Sequence, residues 1–230
     1  MQSVLVAGAS GAIGSAVVDE VRQRGWDALG VDRRPPADPT AFARVVTADL
    51  TDPATPPAAA AAAREHGALW GLVYCAGEYP LVDLDAYSGE VWERVHAVNV
   101  TAAFALAHAL RDVVQRGGRM VFVASGAGHV GSRDPGYASS KAALLGLVRS
   151  LARTLAAREI LVNAVTPGLV ESGMSQRMPP ERRRRHVEQT ALGRAGRPEE
   201  VAVAVSFLLD PANTYVTGAS IDVNGGLYAR

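Results

Sequence analysis

Only one cysteine, Cys75, occurs in 230 residues, which excludes an internal disulfide framework and a thiolate metal cluster. Charge of neither sign is in excess: 23 basic residues balance 23 acidic ones, whereas a dedicated nucleic-acid binder would show a basic surplus. No apolar run approaches the ~18 residues that span a bilayer, and the N-terminus enters a short apolar run directly, without a secretory-signal pattern. Aromatic residues make up 6% of the chain, and Trp26, Trp70 and Trp92 lie scattered, which offers no platform for stacking nucleobases. The histidines, His66, His96, His108, His129 and His186, fall at no metal-ligand spacing, so no catalytic metal is expected. What these absences leave is a cytoplasmic globular protein with no nucleic-acid or membrane partner. A chain of this length buries roughly 70–75% of the surface it exposes unfolded, so it needs no staple to hold a core.

What is present is alternation. Ser3–Ala7 is a continuous apolar run ending at glycines, the pattern of a strand buried on both faces. Ile13, Val17, Val18 and Val21 then recur at helical spacing, with Gly25 placed to end the helix. Further strands are read at residues 28–31, 44–47, 69–75, 119–124, 161–165 and 219–223. Between them, 58–66 reads as an alanine-rich helix, 91–114 as one helix or two divided near Asn99, 137–157 as a long helix, and 199–209 as a helix opened by Pro198. The proline-rich stretches 35–39 and 53–57 read as loops. Strands alternating with helices mean βαβ units. The fold class is therefore α/β: a Rossmann-type, doubly wound, mainly parallel seven-stranded sheet with helices on both faces. No linker, repeat or compositional shift divides residues 1–230, which read as one domain.

Two glycine clusters compete as the dinucleotide turn. The literal G-x-G-x-x-G run is Gly126, Gly128 and Gly131, whereas the N-terminal cluster spaces Gly8, Gly11 and Gly14 three apart. A dinucleotide turn follows a strand, opens a helix, and has an acid about 20 residues on for the ribose. Gly8 follows the first apolar run, Gly14 falls in the first turn of the periodic helix, and Asp32 ends the next strand 18 residues later. The Gly126 cluster runs into residues 132–136, which do not open a helix of that kind, and no acid follows at the right distance. The N-terminal turn, with Gly8, Ser10, Gly11, Ala12, Ile13 and Gly14, is the better candidate; a tight turn without a ligand is the plainer alternative. Asp32 suits the two ribose hydroxyls of NAD(H) and repels a 2′-phosphate, so NAD(H) is favoured. Arg33 beside it could hold that phosphate, which keeps NADP(H) possible.

Tyr137 and Lys141 stand at i and i+4 on one helix face. A phenol with an ordinary pKa near 10 is a poor base at neutral pH, and a nearby ammonium lowers it. Ser125 ends the fifth strand, on the sheet edge where open α/β folds bind ligands. Together with the N-terminal turn, Asp32, Asp49, Leu50, Cys75-Ala76-Gly77, Asn99, Pro167-Gly168 and the ending from Thr217-Gly218 to Gly225-Gly226, they form an ordered set. That set resembles the short-chain dehydrogenase/reductase family over essentially the whole chain. The resemblance implies an NAD(P)(H)-dependent oxidoreductase interconverting a small secondary alcohol and its ketone. It implies that Tyr137 is the general acid/base and that Lys141 lowers its pKa while holding the nicotinamide ribose. Ser125 would orient the substrate oxygen, and Asn99 would sustain a water-linked proton relay through Lys141. Asp49 and Leu50 would meet the adenine, and Ala76 and Gly77, with Cys75 before them, the adenosine ribose. Pro167, Gly168, Val170 and Ser172 would cover the nicotinamide. Residues 171–197 match the family's substrate lid, and 104–110 with 144–151 its pairing helices, which implies a homodimer or homotetramer.

The pattern departs from the family at five places. Gly11 stands one place early, leaving Ala12 at the second glycine position; Cys75 replaces an asparagine that ties neighbouring strands together; Ser125 and Tyr137 are one residue closer than is commonest. Ser172 replaces a threonine while keeping its hydroxyl, and Asn224 replaces an aspartate. None removes a catalytic side chain. Cys75 reads as a small buried hydrophobe, and His129 as an incidental loop residue with a substrate contact as the alternative. The basic run 182–185 reads as a solvated helix face or an attractor of anionic substrate. Three functions remain: the favoured alcohol/ketone dehydrogenase; an NADPH-dependent reductase of 3-oxoacyl thioesters, suggested by Arg33 and the basic run; and a dinucleotide-sensing binding protein. The presence of Ser125, Tyr137 and Lys141 argues against the last.

Overall fold

β1 (Ser3–Ala7) is buried along its whole length, as a strand must be when helices cover both faces of a parallel sheet. It pairs on one side with β2 (Asp27–Asp32) and on the other with β4 (Leu69–Tyr74). The structure is a computed structural model that describes residues 2–229. The remaining strands are β3 (Arg44–Thr47), β5 (Val114–Val123), β6 (Leu161–Pro167) and β7 (Ser220–Val223). The sheet order is β3–β2–β1–β4–β5–β6–β7, and every neighbouring pair is parallel. The chain winds outward from β1 to β3 and then crosses to β4, so the connections leaving β1 and β4 diverge. That reversal opens a crevice at the carboxyl edge of the sheet.

α1 (Ala12–Gln23) and α9 (Pro198–Leu209) cover one face, where Val17, Val18 and Val21 share a core with Val201, Val205 and Leu208. α2 (Thr55–His66), α4 (Ala102–Leu110) and α6 (Pro135–Leu155) cover the other, burying Ala59, Ala63, Leu106, Leu110, Leu144 and Val148. α3 (Gly89–His96) enters α4 through a π-helical turn at Ala97–Thr101. α5 (Ala127–Val130) is a single turn after β5, and α7 (Gly173–Gln176) and α8 (Pro180–Gln189) lie between β6 and α9. One domain results, wound as the alternating pattern implies. Among the described residues no helix is long and apolar enough to cross a membrane.

Several edges differ from the sequence pattern. α2 begins at Thr55, so Pro56 and Pro57 belong to its first turn and not to a loop. Proline lacks an N–H, and the first turn of a helix needs none. β5 begins at Val114 because its pairing with β4 continues past an irregularity between Leu69 and Gly71. α6 begins at Pro135, so residues 132–136 do open a helix; the Asp134 carboxylate caps it by accepting the N–H of Tyr137 at 2.9 Å. A carboxylate already seated there repels a phosphate, which physically separates this helix from a dinucleotide turn. The break near Asn99 falls on the π turn. On α4 Phe104 is half exposed, whereas on α6 Leu144, Leu145 and Val148 belong to the core.

Candidate active site

The N-terminal turn is built on two glycines that admit no side chain. Gly8 has φ +79°, and a Cβ there would stand 2.6 Å from the Ala76 nitrogen. A Cβ on Gly14 would overlap the Gly8 carbonyl oxygen. Gly11 is the N-cap of α1 with no side-chain cap, and the first turn holds no acid. The N–H groups of that turn, from Ala12, Ile13 and Gly14, have no helical acceptor and lie at the positive end of the helix dipole. Asp32, buried at the end of β2, accepts the Ser10 N–H on one carboxylate oxygen and the Arg34 N–H on the other, both at 3.0 Å. It ties the turn to the loop after β2, while each oxygen keeps a further lone pair. Arg33 is exposed, and its charge helps to hold the Asp49 carboxyl below its usual range, after the hydrogen bonds from Thr51. Leu50 packs into the core.

At the other end of the crevice Ser125, just past β5, accepts the Ala127 N–H at 3.2 Å and lines the same cavity as Tyr137. Lys141 is buried; its Nζ donates to the Val123 carbonyl at 2.9 Å and lies 5.8 Å from the Tyr137 ring centre. Burial pushes the Lys141 amine down to about 8, against the opposing influence of Cys75. Burial pushes the Tyr137 phenol up to about 12, with the Ser125 hydroxyl pulling the other way and Tyr79 and Asp134 adding to the rise. The spacing alone leads one to expect a phenol lowered by Lys141. Here the desolvation of Tyr137 dominates, and the lysine's hydrogen bond is directed to a backbone carbonyl. Asn99 is fully buried and fully engaged: its Oδ1 accepts the Glu78 N–H at 2.7 Å, and its Nδ2 donates to Glu78 O and Ser140 Oγ. Its side chain therefore clamps the loop after β4 and has no hydrogen bond to Lys141.

A cavity of about 660 Å³ brings many of these groups together. Ile13, Cys75, Gly77, Ser125, Tyr137, Lys141, Pro167, Gly168, Val170 and Ser172 all line it; Gly8, Asp32, Asp49 and Asn99 lie outside its wall. Ser172 spends its hydroxyl capping α7 in a reciprocal pair with Ser175. The Cys75 thiol is pushed up to about 12 by burial, which keeps it a protonated, inert group. The cavity has further walls in Tyr79, Met174, Met178, His186, Gln189, Leu227 and Tyr228. His129 is not among them; its ring lies 6.0 Å from that of Tyr228. The basic run divides: Arg184 and Arg185 pair with Glu181 on the outer face of α8, while Arg182 turns inward to the Tyr79 hydroxyl.

A sequence profile described as enoyl-(acyl carrier protein) reductase matches residues 8–228. The 3-oxoacyl-[acyl-carrier-protein] reductase FabG of Vibrio cholerae serotype O1 is 33% identical over 97% of this chain and 96% of its own. The crystal structure of a short-chain dehydrogenase/reductase of glucose/ribitol dehydrogenase type from Brucella melitensis superposes with TM-score 0.93 at 29% identity, covering 100% of this chain and 97% of that one. The chain belongs to the short-chain dehydrogenase/reductase family. A blue fluorescent protein from a metagenomic library, solved with NADPH, is a further structural relative, with TM-score 0.92, 32% identity and coverage of 99% and 98%. As a short-chain dehydrogenase/reductase, this protein is an NAD(P)(H)-dependent oxidoreductase acting between CH–OH and C=O. Its residues fit the dinucleotide: an uncapped helix N-terminus, a turn without room for a Cβ, a buried carboxylate at the end of β2, and a cavity reaching Tyr137.

At Cys75, where the family pattern has an asparagine, the backbone and a neighbouring side chain hold the end of β4. The Cys75 N–H bonds Ala7 O at 2.8 Å, and Asn99 holds the next turn. Asn224 organises the last turn by bonding Tyr228 O and the Gly226 N–H, which brings the Tyr228 ring over Gly126. Residue type alone singles out neither Tyr79, on a loop that reads as part of the pocket, nor Tyr228. An aromatic residue two places after Gly77, at the carboxyl edge of a strand, is a usable signal for Tyr79. Nothing local marks Tyr228, which reaches the site only through that final turn.

Proposed function

We propose that this protein reduces the ketone of a 3-oxoacyl thioester, with NAD(H) as the favoured dinucleotide. One arrangement carries the reading: Tyr137 and Ser125 line one cavity that also presents apolar walls at Leu169, Met174, Met178 and Leu227. Polar groups at one place orient a carbonyl, and apolar walls accept an acyl chain. The Vibrio cholerae relative named for 3-oxoacyl-carrier reduction adds support. When bound, the dinucleotide supplies the hydride. Ser125 orients the ketone oxygen, and Tyr137, held protonated by burial, gives that oxygen its phenolic proton. Lys141, tied to Val123 O, presents its amine beside the phenol, and Asn99 keeps the neighbouring loop in place.

The NAD(H) preference is supported by Asp32, a buried carboxylate that would repel a 2′-phosphate. Arg33 and the NADPH-bound structural relative favour NADP(H) as the second reading. Dissociation constants for NADH and NADPH, measured side by side, separate the two; tighter NADPH binding overturns the first. The substrate class is tested with acetoacetyl-CoA and a panel of simple ketones, followed by cofactor absorbance. Turnover of the simple ketones without the thioester rejects it. Residues 171–197 are the substrate lid in this reading, and the half-exposed Phe104 marks a homodimer or homotetramer face. A monomer by light scattering contradicts the latter.

A further inference from the structure

One set of contacts joins α8 to Tyr137 through Tyr79. Tyr79, on the loop after β4, is 8% exposed, and its ring lies 4.2 Å from the Tyr137 ring at an angle of 25°. This is stacked geometry, in which each ring limits the movement of the other. Arg182, reaching in from α8, donates to the Tyr79 hydroxyl at 2.6 Å, with its guanidinium 5.7 Å from the ring centre. Its side chain is 16% exposed, against 64% for Arg184 and Arg185, so it alone of the three is turned inward. Arg182 also faces Asp83 at 3.9 Å, and Arg133 holds that carboxylate at 2.7 Å. Asp134 fixes the same loop from the α6 side, accepting the Val82 N–H and the Tyr87 hydroxyl as well as the Tyr137 N–H. Tyr79 is thus held between the lid segment and the catalytic phenol.

We propose that Tyr79 is a positioning residue for Tyr137: its ring fixes the phenol, and its hydroxyl, held by Arg182, makes that placement depend on lid closure. The proposal rests on reading Tyr137 as the proton donor. Ring and hydroxyl then have separable duties. If α8 moves away, Arg182 leaves the Tyr79 hydroxyl, the ring loses its tether, and Tyr137 loses the surface against which it is packed. With α8 closed, the reacting oxygen is held in one place, and misplacement by about an ångström is enough to cost on the order of a hundredfold in rate.

The test uses the full chain with Tyr79→Phe, Tyr79→Leu, Arg182→Gln and the Phe/Gln double variant. Three quantities are read: hydrogen exchange of residues 180–189, the ¹⁹F resonance of Tyr137 in 3-fluorotyrosine-labelled protein, assigned by its loss in Tyr137→Phe, and steady-state reduction of acetoacetyl-CoA. Tyr79→Phe and Arg182→Gln each remove the same hydrogen bond, so each should speed lid exchange by roughly three- to tenfold, and the double variant no further. Tyr79→Phe keeps the ring but frees it from Arg182, so it should move the Tyr137 resonance less than Tyr79→Leu does and act mainly on KM. Tyr79→Leu should shift that resonance and lower kcat about tenfold or more, with dinucleotide affinity unchanged. An unshifted Tyr137 resonance in Tyr79→Leu overturns the ring's role, and unchanged lid exchange in Tyr79→Phe overturns the hydroxyl's. Both readouts work without turnover. A protein that ignores acetoacetyl-CoA, or a Tyr137→Phe variant as active as the parent, therefore counts against the proposed function while these two results still decide the inference.

Discussion

Lys141 is the only lysine in the chain, so its titration can be followed through a single signal. Its Nζ is buried and has one described hydrogen bond, to the Val123 carbonyl. Lost hydration brings its pKa from 10.5 to about 8, which corresponds to roughly 3 kcal/mol in favour of the neutral amine. The chain grown with ¹³Cε-lysine should show one side-chain resonance whose shift turns near pH 8. At pH 9 only about a tenth of the amine should remain charged, against nearly all of it for an ordinary lysine. The sign carries over to stability. Because the folded pKa is depressed, the unfolded chain binds more protons between about pH 8 and 10.5, and this group raises unfolding free energy as pH rises through that window. A midpoint above about pH 10 would refute the reasoning, since it would mean that the ammonium is hydrated and is not held against β5. Lys141→Met should remove the resonance and the linked pH dependence together.

Asp32→Ser removes the carboxylate that disfavours a 2′-phosphate, and should swing the NADH to NADPH affinity ratio toward NADPH by on the order of ten- to a hundredfold; an unchanged ratio, measured by fluorescence titration, would clear Asp32 of that role. Gly14→Ala drives a Cβ into the Gly8 carbonyl and should lower Tm by roughly 5–10 °C. Gly146→Ala, on α6 with open space around it, should leave Tm unchanged or raise it, by up to about 1 kcal/mol of helix propensity. Scanning calorimetry of the pair checks both signs. Asp134→Asn leaves one of three bonded donors poorly served, those of Val82, Tyr87 and Tyr137. It should cost about 1–3 kcal/mol in denaturant unfolding.

Much of this molecule is local in origin, and that part is legible from residue order. The unbroken apolar run of β1, the glycines of the following turn and the acid ending β2 each announce themselves within a few residues, because strand burial, turn geometry and helix starts are short-range matters. Winding direction follows from alternation. The edges that differ, at Pro56 and at Pro135, do so because proline suits both a loop and a first helical turn; at Pro135 the Asp134 cap decides between them, whereas the helix holding Pro56 starts without a side-chain cap. The inner site is less legible. The i,i+4 spacing places Tyr137 and Lys141 on one face but does not aim Nζ, which bonds Val123 on another element. Asn99 is recognisable as a site residue, yet its clamp on Glu78 depends on how the π turn meets the loop after β4. Four consecutive arginines look alike in sequence; only the docking of α8 against Tyr79 singles out Arg182. Tyr228 comes over Gly126 from the end of the chain through a turn that Asn224 alone hints at. Each is a contact between distant segments, set by packing and not by any local pattern.

The central claim is that Tyr137, beside Ser125 and Lys141, passes the proton in dinucleotide-dependent ketone reduction. Its most direct test is the reduction of acetoacetyl-CoA by the parent chain and by Tyr137→Phe, followed at 340 nm with the tighter-binding dinucleotide at saturation. The account requires a loss in kcat of about 10²- to 10⁴-fold, with the dissociation constant for the dinucleotide essentially unchanged. A Phe variant that keeps its rate would contradict it.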